Sequence, residues 1–208
     1  MSTVNYPLHL MCSYLNRKAY HHKNNVMLHK YKDKNIIVFR GTNDTKSLTY
    51  SFHLWENEQI HEGYKRYSMQ CKELVEGLGL DTKTPLVITG HSIGSIAGAL
   101  IAHELDFQAE LVLFGSPKLA KASFREEINR NKKLTIYNYI NKHDIIAAYP
   151  FVYYEHICEP IILENAKKSV NPLTYHSMKT YSQNIYRKKN MTERKGTSNP
   201  FDEYLDIL

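Results

Sequence analysis

Cysteine is scarce in this chain and long apolar runs are missing. Only three of the 208 residues are cysteine, Cys12, Cys71 and Cys158. They are widely spaced and odd in number, so reduced thiols are expected rather than a disulfide framework. No apolar run approaches the roughly 18 residues that a membrane-crossing helix needs. The N-terminal stretch MSTVNYPLHLMCSYLNRK lacks a charged start, a long apolar core and a small-residue cleavage site, so no signal peptide is read there. Together these absences make a cytoplasmic or intracellular location the expectation. H-E-x-x-H, C-x-x-C, EF-hand and P-loop patterns are also missing, so no metal and no cofactor is expected. Pro-rich linkers, internal repeats and low-complexity blocks do not occur, which leaves one domain over residues 1–208. Lys+Arg 27 against Asp+Glu 21 gives +6, too diffuse a charge to name nucleic acid as a partner. The one compositional shift is RKKNMTERKG at 187–196. It opens a basic stretch, 187–208, expected to be a mobile, solvated tail, with contact to anionic lipid headgroups as its alternative role.

What is present reads as alternating strands and helices. Leu8, Met11, Cys12 and Leu15 share one side of a short helix over 5–17. Asn25–Tyr31 and Asn35–Arg40 read as two strands around Lys32-Asp33-Lys34. Glu62–Leu80 has the apolar spacing of a helix with one buried face. Pro85–Thr89 and Glu110–Phe114 are short apolar runs bounded by Pro and Gly, which suits buried strands. Ile93–Leu105, apolar nearly all round and rich in Ala, suits a fully buried helix. Further elements are expected as a helix near 121–131, strands at Leu134–Ile140 and Phe151–Ile157, and a last helix from near Tyr175 past Ile185. Such alternation implies an α/β fold with a mainly parallel central sheet and flanking helices.

The sharpest local signal is Gly90-His91-Ser92-Ile93-Gly94, a G-x-S-x-G between a buried strand and a buried helix. Alone, that pattern arises by chance in about one chain in fifteen of this length. Its context makes it informative. A serine on a sharp strand-to-helix turn projects its hydroxyl above the sheet. Glycine is needed at the flanking positions because larger side chains would strike the neighbouring strand and helix. The helix N-terminus then favours a developing oxyanion. A serine nucleophile needs a base and an orienting acid, which follow later in the chain in this fold logic. Asp144 directly follows the strand Leu134–Ile140 and is the candidate orienter. Two histidines lie downstream. His156 sits in a strand-like apolar run, whereas His176 sits at a loop-to-helix junction, where catalytic groups are commoner.

These pieces together resemble the class 3 lipase family of α/β-hydrolases, the fungal triacylglycerol lipase type. Ile37-Val38-Phe39-Arg40-Gly41-Thr42 resembles its oxyanion strand, and Ile60-His61-Glu62-Gly63-Tyr64 its V-H-x-G-F block. Thr89 through Gly94 is similar to T-G-H-S-L-G, and Phe114-Gly115-Ser116-Pro117-Lys118 to F-G-x-P-R. Asn138 through Pro150 resembles the block with the family's catalytic Asp, and His176 through Tyr181 the H-x-x-Y block with its catalytic His. The resemblance spans roughly residues 25–186. It implies Ser92 as nucleophile, His176 as general base and then acid, and Asp144 as orienter. It also implies an oxyanion hole from the N–H of Ile93 and from Thr42, by backbone N–H and hydroxyl. Arg40 is expected to be a structural ion-pair residue, and His61 and Gly63 to pack behind the nucleophile turn.

The sequence also departs from the family pattern. Ser95 stands where a second glycine is usual, and Lys118-Leu119-Ala120-Lys121 replaces the usual residues after F-G-x-P. Between Asn43 and Gln59, Leu48, Tyr50, Phe52 and Leu54 alternate with polar residues. That period of two predicts a short extended flap rather than a lid helix, in a minimal form of the fold. Trp55 marks either an apolar mouth for acyl chains or a buried anchor of the flap. The implied activity is that of a serine carboxylic-ester hydrolase on lipid or small ester substrates, with a peripheral lipid-interface contact. The same residues would serve a thioesterase, an acyltransferase or a peptidase. A non-catalytic lipid- or partner-binding module on this fold is the reading from another class.

Overall fold

The structure is a computed structural model that describes residues 4–42, 62–80, 84–118, 120–149, 154–165 and 168–192. The expected flap with Trp55, the residue His61 and the stretch beyond Thr192 lie outside the described residues.

The chain opens with α1 (Tyr6–Ala19), whose first turn is capped when Asn5 Oδ1 accepts the Leu8 N–H at 3.2 Å. It continues through β1 (Val26–Tyr31), β2 (Lys34–Phe39), α2 (Glu62–Glu76), β3 (Leu86–His91), α3 (Ile93–Glu104) and β4 (Ala109–Phe114). Then follow α4 (Ala122–Arg130), β5 (Leu134–Asn141), β6 (Ile161–Leu163), α5 (Leu173–His176) and α6 (Met178–Thr192). The strands form one sheet in the order β1-β2-β3-β4-β5-β6. The β1–β2 hairpin is antiparallel and every later pairing is parallel. This is a compact α/β-hydrolase architecture, a mostly parallel sheet flanked by helices.

The strand period of two sorts side chains between the two faces. Ile37, Phe39, Leu111 and Leu113 join Ile93, Ile96 and Ile101 of α3 in one core, with α2 and α4 behind. Ile36, Val38, Val112 and Phe114 face the other way, onto Leu8, Cys12 and Leu15 of α1 and Tyr181 and Ile185 of α6. Being covered on both faces explains the unbroken apolar runs of β2, β3 and β4. α3 is buried along nearly its whole length, from Ile93 through Ala102, as its all-round apolar sequence requires. The three cysteines are free thiols. Among the described residues, no helix is long and apolar enough to cross a membrane, and no cluster of acidic, histidine and cysteine side chains could hold a metal.

Two segments depart from the sequence expectation. The strand expected at Phe151–Ile157 is, over its described part, an irregular stretch with a single bridge between Glu155 and Ala120. The sheet's last strand is β6 instead, only three residues long, beside the end of β5. The final helix is also two helices. Ser177 takes extended dihedrals, φ −72° and ψ 140°, and breaks the helical run directly after His176. The basic stretch from 187 is helical through Thr192, with Lys189 buried.

Candidate active site

Ser92 and Asp144 follow the carboxyl ends of β3 and β5, Thr42 lies just past the end of β2, and His176 comes from α5. Ser92 directly follows β3 and is the N-cap of α3. Its backbone stands at φ 56° and ψ −129°, a conformation that is costly for a side chain other than glycine. Its N–H donates to the Phe114 carbonyl at 3.0 Å, which ties the turn to the end of β4. The flanking glycines are required by contact. A Cβ on Gly90 would lie 2.4 Å from the Gly94 carbonyl oxygen. One on Gly94 would lie 2.3 Å from the Phe39 oxygen and 2.6 Å from that of Arg40. The end of β2 is thereby pressed against the nucleophile turn, which brings the segment leading to Thr42 alongside it. Ile93 opens α3, so its N–H belongs to the first turn, whose donors lack intrahelical partners. Ser95 fits its departure from glycine: its buried hydroxyl donates to the Ser92 carbonyl at 2.5 Å.

Asp144 follows β5 on a turn and is only 4% exposed. Its Oδ2 accepts from His176 Nδ1 at 2.8 Å and from the Tyr181 hydroxyl at 2.6 Å. Its Oδ1 accepts the N–H groups of Ile146 and Ala147 at 3.0 and 3.1 Å. Burial alone would raise the carboxyl pKa. The hydrogen bonds and charge of His176, with those of Tyr181 and Ala147, outweigh it and hold Asp144 below the ordinary carboxylate value. Tyr181 is fully buried, keeps its proton far above the usual phenol pKa and also accepts the Asn141 N–H at 3.2 Å.

His176 ends α5 and is held through its neighbours. Asn141, the last residue of β5, donates from Nδ2 to the Tyr175 carbonyl at 2.6 Å. His91 Nε2 donates to the His176 carbonyl at 2.7 Å, and the two imidazoles lie 4.6 Å apart, centroid to centroid. Burial, with His176 next to it, presses the His91 pKa down to about 3 despite the opposing pull of Asp144, so His91 is neutral. Among the described residues, Ser92 Oγ makes no hydrogen bond with His176, whose Nδ1 is engaged by Asp144.

His156, the other candidate base, is not bonded to Asp144. Its Nδ1 is buried without a partner, and burial together with Lys118 and Arg125 lowers its pKa to about 4. Among the described residues Arg40, expected to be an ion-pair residue, makes no ion pair. Its guanidinium donates to the His22 carbonyl and to Asn25 Oδ1, both at 2.6 Å, so it braces the α1–β1 connection through neutral acceptors. Gly63 is buried at the start of α2. Three residues that meet here were given no role by the sequence reading: Tyr20, and His91 and Tyr181, which it quoted only as parts of motifs. Tyr181 carries a weak signal, an aromatic one helical turn into α6. Tyr20 carries none, because its contact is set by the docking of α1.

Comparison with known proteins bears on the family and the fold. The family model described as Lipase (class 3) matches residues 36–154. Phospholipase A1-IIalpha of Arabidopsis thaliana is 25% identical over 132 residues, covering 54% of this chain and 31% of that protein. Phospholipase A1-IIdelta of the same plant is 31% identical over 77 residues, 34% of this chain and 19% of that protein. The chain therefore spans a third or less of the curated relatives it matches. Among solved structures, the lipase from Rhizopus microsporus var. chinensis aligns with TM-score 0.59 at 14% identity, covering 81% of this chain and 77% of that one. The native Rhizomucor miehei lipase propeptide complex aligns with TM-score 0.58 at 14% identity, covering 78% and 70%. At such identities the likeness concerns the fold.

Proposed function

This chain belongs to the class 3 lipase family, and from that premise we propose that it is a serine carboxylic-ester hydrolase that cleaves acyl-glycerol or related lipid esters through an acyl-enzyme. The observation that carries the reading is the grip of Asp144 on His176 Nδ1 beside a serine held at positive φ on a helix N-terminus.

In this reading the Asp144 bond to Nδ1–H leaves Nε2 unprotonated and able to take the Ser92 proton. Ser92 Oγ attacks the ester carbonyl, and the C–O bond to the leaving alcohol breaks as His176 returns the proton to it. Water, activated by the same imidazole, then cleaves the acyl-enzyme and restores Ser92. The Ile93 N–H, at the positive end of the α3 dipole, and Thr42, at the end of the oxyanion segment, stabilise the tetrahedral oxyanion. Each such donor contributes about 3 kcal/mol in the transition state. Asp144 stays ionised, which stabilises the imidazolium formed in each step. The names of the two plant relatives favour a glycerolipid acyl ester over other esters.

A panel of p-nitrophenyl esters of increasing chain length, run beside acyl-CoA and amide substrates, tests this. Hydrolysis that rises with chain length and disappears in Ser92→Ala supports a lipid esterase. A preference for acyl-CoA or amide substrates would reassign the same triad to thioester or peptide chemistry.

A further inference from the structure

We propose that Tyr20 and His91 form a positioning relay that clamps the backbone of His176. The base is then held at two points, its ring by Asp144 and its carbonyl by His91. The inference rests on the reading of His176 as the base, and it concerns residues to which that reading gives no role.

The hydrogen-bond directions have one solution. His91 is fully buried and neutral, so one ring nitrogen donates and the other accepts. Its Nε2 faces the His176 carbonyl, which can only accept, so Nε2 carries the proton. Nδ1 must then accept, and its partner is the Tyr20 hydroxyl. Burial pushes the Tyr20 phenol well above its ordinary value, despite the nearby Arg40 charge, so Tyr20 keeps the proton it donates. The relay therefore runs from Tyr20 O–H to His91 Nδ1, and from His91 Nε2–H to the His176 carbonyl.

Three segments meet in this relay. Tyr20 is the C-cap of α1, His91 ends β3 beside Ser92, and His176 ends α5. Gly41 supplies the space: a Cβ there would lie 2.2 Å from the Tyr20 hydroxyl and 2.9 Å from the His91 carbonyl. The chain break at Ser177 is what makes the clamp useful. His176 is the last residue of a four-residue helix, and its carbonyl is not committed to a long helical ladder. A neutral imidazole 4.6 Å from the catalytic ring also adds no charge that would oppose the imidazolium.

Four proteins test the relay: wild type, Tyr20→Phe, His91→Gln and His91→Leu. Glutamine retains a side-chain N–H for the His176 carbonyl and an acceptor for Tyr20. In steady-state ester hydrolysis, His91→Leu is expected to lose about tenfold in kcat with KM within about twofold. Tyr20→Phe should fall in the same direction by a smaller factor, and His91→Gln should recover most of the loss at an equal or lower thermal midpoint. Unchanged kcat in both Tyr20→Phe and His91→Leu would overturn the relay. So would a glutamine variant as impaired as the leucine one. Histidine side-chain 15N spectra, which need no turnover, provide the second readout. Wild-type His91 is expected as the Nε2–H tautomer throughout about pH 5 to 8, with Nδ1 shifting in Tyr20→Phe. An Nδ1–H tautomer contradicts the relay even if the protein proves inactive, whereas wild type without ester hydrolysis counts against the hydrolase reading alone.

Discussion

Ser92 sits at φ 56° because the chain must turn from β3 into α3 within one residue, and burial of both elements enforces the strain. Replacing it with alanine keeps the turn and removes only the hydroxyl. Ser92→Ala should therefore fold with a thermal midpoint close to wild type and lose at least about 10⁴-fold in ester hydrolysis. Asp144→Asn should lose activity on the same scale while the Tyr181 bond to the side chain persists, a separation that kcat beside a melting curve would reveal. His91 sets a pH dependence. Its pKa is pressed from 6.5 to about 3 by burial and the adjacent His176, against the pull of Asp144, and the Tyr20 and Tyr181 hydroxyls facing it stay neutral. The unfolded chain thus binds this proton more readily than the folded one, and stability is lost as pH falls from about 6.5 toward 3. His156, lowered to about 4, acts with the same sign. Asp144, held below the ordinary carboxylate value in the fold, loses its contribution as pH falls below that value and it protonates. The urea midpoint should therefore drop on acidification below about pH 6.5. His91→Gln should flatten that drop, and an unchanged slope would contradict the assignment of His91 as a buried neutral imidazole.

At the scale of elements, the β3–turn–α3 unit is the most exacting. Gly94→Ala would drive a Cβ into the main-chain oxygens of Phe39 and Arg40, which cannot rotate away as a side chain could. We expect a loss of about 2–4 kcal/mol in unfolding free energy, measured in urea, together with displacement of the segment carrying Thr42. This unit was legible because its signals are local: an apolar run, two glycines at fixed spacing and an alanine-rich helix. β1, β2, β4 and β5 were equally readable, since turns and buried runs bound them within a few residues. β6 was not. Three residues carry no usable period, and Ile161–Leu163 is a strand only because the end of β5 lies beside it. The apolar residues near 154–157 gave a stronger strand signal, but their partners are core side chains and one bridge. The break at Ser177 was hidden for a related reason. Serine is acceptable in a helix, and the extended geometry there follows from tertiary anchoring of Tyr175 and His176 by Asn141 and His91.

At the scale of the whole molecule, the site draws on more chain than the family-model match covers. The family match spans residues 36–154, yet Tyr20 comes from α1, His176 from α5 and Tyr181 from α6. α1 and α6 pack together over the second face of the sheet, where α1 also places a fully buried His9 between Tyr139 and Glu110, each 2.7 Å away. Deleting residues 1–24 would expose Val38, Val112 and Phe114 to water and remove Tyr20. Such a chain is expected to be insoluble or to lose cooperative unfolding; a soluble, cooperatively folding and active product would contradict this packing role. The central claim concerns one nucleophile supported by the entire fold. It is tested most directly by reacting wild type and Ser92→Ala with a fluorophosphonate probe and mapping the adduct by peptide mass spectrometry. The account predicts a single adduct on Ser92 in wild type and none in the variant. Equal labelling of both proteins, or an adduct on another residue, would contradict it.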